Sequence, residues 1–126
     1  MEAIEYARPS TIDDAVRSLT ASGARVLAGG TDLLVQLRGG FTRPRVIVDI
    51  KGIAELRRIE QTPAGFRVGA AVAGAELGAH QGFAQRWPGV VEAFQLIGST
   101  QIQGRASLGG NLCNASPAAD SIPSLI

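Results

Sequence analysis

Three glycine pairs, Gly29-Gly30, Gly39-Gly40 and Gly109-Gly110, restrict this chain more than any other feature. Paired glycines mark backbone that must turn tightly or come close to something, because only a residue without a β-carbon does both at low steric cost. Their setting is as informative as their number. Gly29-Gly30 follows a short apolar stretch at residues 25–28. It precedes residues 32–37, where Leu33, Leu34 and Leu37 suit a short helix closed by Gly39-Gly40. The order is strand, glycine loop, helix. Glycine totals 16 of 126 residues, nearly twice the average usage of about 7%.

The elements around these loops mix helix and strand. Residues 4–6 read as a strand broken by Arg8-Pro9-Ser10. Ser10 or Thr11 can cap a helix with Asp13 and Asp14 in its first turn, and Ile12, Ala15, Val16 and Leu19 fall on one face. Val46-Ile47-Val48 is a β-branched run that predicts a buried strand. Residues 56–62 and 66–69 flank Pro63-Ala64-Gly65, a hairpin signal. Helices are expected at 75–80 and 90–97, with Pro88 near the start of the second, and 98–104 reads as a loop. The pattern changes near Lys51-Gly52, which places a subdomain boundary there: residues 1–52, then 53–126.

In the first loop, 27–34, small residues between strand and helix let several backbone N–H groups point outward together, with the partial positive charge of a helix start behind them. That arrangement receives phosphate without a basic side chain, and Thr31 can add a hydroxyl. The residues by themselves fit a plain strand–helix turn equally well. Neither Gly-x-Gly-x-x-Gly nor Gly-Lys-Ser/Thr occurs, so the loop is neither a Rossmann fingerprint nor a P-loop. The second loop, 106–121, is long, polar and nearly uncharged, as expected of a segment that wraps a ligand with many hydrogen-bonding groups. Asp120 can accept from sugar hydroxyls there, or cap a helix in an ordinary surface turn.

Composition excludes several classes. Twelve basic against 11 acidic residues give a net charge of +1, so no nucleic-acid partner is indicated. No apolar run approaches the roughly 20 residues needed to span a bilayer, and the first residues lack a signal peptide's basic start and apolar stretch. A cytoplasmic protein without membrane insertion is expected. One cysteine, Cys113, cannot hold a zinc or iron–sulfur site alone, and one histidine, His80, leaves no His-rich metal cluster in this segment. The apolar ending, Ser121 to Ile126, looks like a cut through a fold, so a longer natural polypeptide is expected.

Ala28-Gly29-Gly30-Thr31-Asp32-Leu33-Leu34, followed by Gln101-Ile102-Gln103-Gly104-Arg105-Ala106-Ser107-Leu108-Gly109-Gly110-Asn111 and Ser116-Pro117-Ala118-Ala119-Asp120, resembles the FAD-binding subunits of the molybdenum hydroxylases, the xanthine dehydrogenase and carbon monoxide dehydrogenase family. Tyr6-Ala7-Arg8-Pro9 and Val48-Asp49-Ile50 also look like that family, and the likeness covers essentially the whole chain. The resemblance implies an α+β fold, the FAD-binding domain of the vanillyl-alcohol oxidase type, with two subdomains and the second truncated. It implies that Ala28, Gly29, Gly30, Thr31, Asp32 and Leu33 hold the FAD pyrophosphate by backbone N–H groups. Ser107, Gly109, Gly110, Asn111, Asn114 and Asp120 would hold the rest of the dinucleotide, and Ile97 would approach the isoalloxazine ring. It further implies a molybdopterin-binding large subunit and a small subunit with [2Fe-2S] clusters as partners. NAD, a quinone or another acceptor would take the electrons. The chain departs from the family in having Ser99-Thr100 where many relatives have His-Pro, and Gln103 where many have a basic residue.

Other residues carry plainer expectations. Cys113 is expected to be a small buried thiol, His80 exposed, Trp87 a core anchor, Arg57-Arg58 a solvated strand face, and Arg43 and Arg45, flanking Pro44, partner contacts. Two other functions compete with the electron-transfer subunit: a stand-alone flavin oxidase, which needs its own substrate pocket, and a non-catalytic assembly module.

Overall fold

The computed structural model describes residues 3–126. Glu5–Ala7 (β1), Ala24–Leu27 (β2) and Val46–Asp49 (β3) form a parallel sheet in the order β1-β3-β2. The β-branched run takes the central place because it is the one strand whose neighbours cover both edges: Ala7 and Val26 both pair with Val48, which is fully buried. Parallel strands require crossovers, and Ile12–Leu19 (α1) and Leu33–Arg38 (α2) supply them. Thr11 caps α1, its Oγ1 accepting from Asp14 N at 3.1 Å. Of the apolar face expected on α1, Ala15 is buried and Leu19 packs against the core of Val48 and Ile53, whereas Ile12 and Val16 remain exposed. Strand β1 begins at Glu5, one residue later than the sequence pattern indicates.

After 3-10 turns at Ile50–Gly52 and Ala54–Arg57, Ile59–Thr62 (β4) and Gly65–Val68 (β5) form the hairpin, but β4 begins three residues later than expected, because the 3-10 turn takes Leu56 and Arg57 and leaves Arg57-Arg58 ahead of the strand. Its turn is only Pro63-Ala64, since Gly65 already pairs with Thr62. Gly74–Ala79 (α3), Gln81–Arg86 (α4) and Pro88–Gln95 (α5) follow, then Thr100–Gln103 (α6), Leu108–Asn114 (α7) and a 3-10 turn at Ile122–Leu125. A second core gathers Val72, Leu77, Phe83 and Val90, with Ile59, Phe66 and Leu108 packed on it. Gly74 touches Phe94 so closely that a β-carbon there would lie 1.9 Å from the ring.

Four expectations give way here. Helix α4 has no apolar period to announce it. It forms because His80 Nδ1 accepts from Phe83 N at 3.1 Å and caps it, so His80 is half-buried, edge-on to Phe66, rather than exposed. Residues 98–104 contain α6, capped by Ser99. The polar segment 106–121 is not one long loop, because 108–114 is helix α7 with Ser107 as its cap. Trp87, at 47% exposure, is not a core anchor, and its ring lies beside the Arg86 guanidinium.

Candidate functional site

A cleft of about 490 Å³ opens between the first glycine loop and α7. All of Ala28, Gly29, Gly30, Thr31, Asp32 and Leu33 line it, joined by Ile97, Ser107, Gly109, Gly110, Asn111 and Asn114 from the distant segment. Asp120 is the exception: it is exposed and outside the lining. The turn that follows α7 carries it past the cleft and buries its neighbour Ser121 instead.

The two segments meet through absent side chains. A β-carbon on Gly29 would lie 1.9 Å from the Arg105 carbonyl oxygen, and one on Gly109 would lie 2.7 Å from the Ala70 carbonyl oxygen. Gly29 and Gly109 therefore serve backbone-to-backbone packing in addition to lining the cleft. Gly30 has φ +81°, the left-handed conformation that turns the chain from β2 into α2. Among the described residues, the N–H groups of Gly29, Gly30, Thr31 and Asp32 have no backbone acceptor. Orphan donors of this kind require a ligand or water.

The two asparagines of α7 are oriented by residues that the sequence did not single out. Ser121, fully buried, donates from Oγ to Asn111 Oδ1 at 2.5 Å. Gln36 on α2 donates from Nε2 to Asn114 Oδ1 at 3.1 Å and ties the two walls together. With each carbonyl oxygen engaged, each asparagine has its NH₂ group left as a donor. Charge is scarce: Arg25 and Asp32 are the charged residues of the lining. Arg25, Val26, Gln36, Ile50, Ala70, Ala106 and Cys113 complete it. Cys113 is exposed to the cleft rather than buried in the core.

Behind the glycine loop stands an ionic cluster. Asp49 is buried and accepts from Tyr6 Oη at 2.5 Å, from Lys51 N at 2.9 Å and from Lys51 Nζ at 2.8 Å. Burial pushes its carboxyl upward, but the hydrogen bonds from Lys51 and Tyr6 and the Lys51 charge outweigh it and hold Asp49 below its ordinary value. The same bond to Asp49, more than burial, raises the Tyr6 phenol. Lys51 Nζ also donates to Ala28 O at 2.6 Å, and Arg105 Nε donates to Gly29 O at 3.2 Å. At the other end of the cleft, Gln103 Nε2 donates to the carbonyls of Gln95 and Ile97 at 2.8 and 3.3 Å and fixes the backbone beside Ile97.

A cleft of this volume lies within the range of cofactor sites, about 300–1,000 Å³, and its small, donor-rich and weakly charged lining suits phosphate and hydroxyl oxygens. The molecule is thus a mixed helix and sheet domain whose cleft suits a ligand rich in oxygen acceptors. The chain belongs to the family described as the FAD binding domain in molybdopterin dehydrogenase, whose model matches residues 2–126. It is 40% identical over 124 residues to the xanthine dehydrogenase FAD-binding subunit of Escherichia coli O157:H7, covering 96% of this chain and 42% of the relative. It is 32% identical over 126 residues to the caffeine dehydrogenase subunit beta of Pseudomonas sp. strain CBB1, covering 98% of this chain and 42% of that one. Among solved structures, the reconstituted CO dehydrogenase from Oligotropha carboxidovorans superposes with a TM-score of 0.89 at 30% identity, covering 94% of this chain and 42% of the other. The chain thus spans about two fifths of the length of the curated relatives it matches. Among the described residues, no helix is long and apolar enough to cross a membrane.

Proposed function

We propose that this chain holds FAD in the cleft between the first glycine loop and α7, as part of the electron-transfer flavoprotein subunit of a molybdopterin-dependent hydroxylase or dehydrogenase. The observation that carries the proposal is the run of unpaired N–H donors at Gly29, Gly30, Thr31 and Asp32, residues that line a cleft whose two asparagines have their carbonyl oxygens engaged elsewhere. The loop N–H groups would receive the pyrophosphate. Asn111, Asn114 and Ser107 would receive the remaining hydroxyls and heteroatoms, and the Ile97 segment would border the ring. FAD when bound supplies reversible one- and two-electron redox chemistry; the protein supplies position and electrostatics.

The fold is proposed to be of the vanillyl-alcohol oxidase type, with its two subdomains dividing near Lys51-Gly52. Ile53 and Leu56 nevertheless add to the first core, so the two halves are stitched across that boundary. The proposed setting is a cytoplasmic complex with a molybdopterin-binding large subunit and a small subunit carrying [2Fe-2S] clusters. NAD, a quinone or another external acceptor would receive the electrons. Relatives named as subunits of xanthine and caffeine dehydrogenases support this reading.

The test is the visible spectrum of the purified full-length protein, with mass spectrometry of any released cofactor. Flavin bands and released FAD are expected. A colourless protein that takes up no FAD, even inside its complex, would overturn the reading in favour of an assembly module. Oxidation of an organic substrate by the isolated subunit would favour a stand-alone oxidase.

A further inference from the structure

A trans peptide carries its C=O and N–H in opposite directions, so whatever holds the oxygen also aims the hydrogen. The carbonyl of Ala28 shares its peptide plane with the N–H of Gly29, and the carbonyl of Gly29 shares its plane with the N–H of Gly30. Both carbonyls are held by cations. Lys51 Nζ reaches Ala28 O at 2.6 Å, and Arg105 Nε reaches Gly29 O at 3.2 Å. Neither cation lines the cleft. Both peptides are trans, and the two N–H groups have no acceptor in the backbone.

We propose that Lys51 and Arg105 are positioning residues for the cofactor's pyrophosphate: they hold the Ala28 and Gly29 carbonyls away from the cleft, so that the N–H groups of Gly29 and Gly30 are aimed into it. The proposal rests on the reading of the cleft as an FAD site. A glycine loop left to itself samples many peptide orientations, and fixing two of them before the ligand arrives removes an entropic cost from binding. The two cations differ in how they are held. Lys51 is itself fixed, because its ammonium also contacts Asp49 at 2.8 Å and Asp49 is in turn bound by the Tyr6 hydroxyl at 2.5 Å. A chain of contacts therefore runs from the edge strand β1 through β3 to the glycine loop. Arg105 lies on the exposed side and comes from the segment just before α7, so its bond to Gly29 joins the two walls. Cations placed this way add positive potential behind the loop without making contact with the ligand.

The experiment uses the full-length flavoprotein, stripped of flavin and titrated with FAD. It reads the FAD dissociation constant by flavin fluorescence, the two phosphorus resonances of bound FAD by NMR, and the thermal midpoint of the flavin-free protein. Lys51→Met is made together with Asp49→Asn, so that no buried carboxylate is left unpaired, and Arg105→Met is made alone. Loss of one charge-assisted hydrogen bond should weaken FAD binding about tenfold in the Lys51 variant, and by about threefold for the longer bond from exposed Arg105. Both variants should shift the phosphorus resonances, and Lys51→Arg should recover most of the affinity. The flavin-free midpoint of Arg105→Met should stay within a few degrees of the parent.

Wild-type affinity and unmoved phosphorus resonances in both variants would overturn the positioning role while leaving the FAD site intact. So would an affinity loss accompanied by an equal loss of flavin-free stability in Arg105→Met. If the unsubstituted protein takes up no FAD, the reading of the cleft itself fails. Should the Lys51 variant not fold, Arg105→Met decides the question, because Arg105 is exposed and outside both cores.

Discussion

Gly29 and Arg105, 76 residues apart, are in contact twice over: Arg105 Nε donates to the Gly29 carbonyl at 3.2 Å, and the Arg105 carbonyl occupies the place where a β-carbon on residue 29 would stand, 1.9 Å away. This approach, with the Gln36–Asn114 hydrogen bond, joins the two glycine-bearing segments that wall the cleft. The reason residue 29 is glycine is therefore space, since its φ is not in the left-handed region.

Gly29→Ala should accordingly destabilise the protein by about 1–3 kcal/mol, the usual cost of overpacking a well-packed site, and should deplete FAD in the same preparation. Gly40 provides the contrast. It has φ +71° and nothing within 4 Å of an added β-carbon, so Gly40→Ala should cost only the left-handed penalty of about 1–2 kcal/mol and leave FAD content unchanged. Chemical denaturation and flavin absorbance on both variants check the pair. Equal flavin loss in the two would show that the Gly29 contact is not special to the cleft.

Ser121→Ala removes the donor that engages Asn111 Oδ1 at 2.5 Å and leaves that oxygen competing for the ligand's donors. Because Ser121 is fully buried, the loss should be about 1–2 kcal/mol, read as a roughly tenfold weaker FAD affinity. Ser124→Ala is the control. It deletes a bond to the Ser121 backbone carbonyl that does not involve Asn111, and should leave FAD affinity as it was.

Gly110→Val should abolish FAD retention. Gly110 lies inside α7 at an ordinary φ, so valine is compatible with the backbone, and the added β-carbon would sit 3.0 Å from Ser107 Oγ. A small adjustment of the serine should preserve the helix while the branched side chain fills part of the cleft. Far-ultraviolet circular dichroism should be unchanged while the flavin bands disappear; retention of FAD at wild-type affinity would remove Gly110 from the site.

The pH dependence follows from Asp49, whose carboxyl is held below its ordinary value of 3.8. Its contribution to stability is fully present above that value and is lost as pH falls through the lowered one. Acid unfolding followed below about pH 4 should show a component that Asp49→Asn eliminates. Identical acid profiles for parent and variant would mean that the cluster does not couple to folding.

Ala115 closes α7 at φ +53°, the only non-glycine residue in the left-handed region among those described. Ala115→Gly should raise stability by about 1 kcal/mol, measured by denaturant midpoint, with no change in FAD binding.

Much of the fold was legible in the sequence. The run Val46-Ile47-Val48, the capped face beginning at Thr11 and the hairpin signal at Pro63-Ala64 each depend on residues close in sequence, and local sterics decide them. The strand–glycine–helix order around Gly29-Gly30 is of the same kind. The second glycine segment, which lines the cleft, was not legible as a helix. Glycine costs about 1 kcal/mol in a helix, so Gly109-Gly110 reads as a turn until the Ser107 cap and the packing of Gly109 on Ala70 are seen to outweigh that cost. Helix α4 was invisible because its cap is a histidine and its one buried anchor, Phe83, shows no period.

By itself, then, the sequence determined which residues can turn tightly, which can cap and which must be buried, because those properties are set by each residue and its near neighbours. The tertiary structure alone decided that Ser121 meets Asn111, that Gln36 meets Asn114, and that Lys51 and Arg105 hold the carbonyls of the glycine loop. Most of these contacts join residues far apart in the chain. Even the Ser121–Asn111 bond needs the chain to fold back on α7. A hydrogen bond depends on distance and direction in space, which only the assembled chain provides.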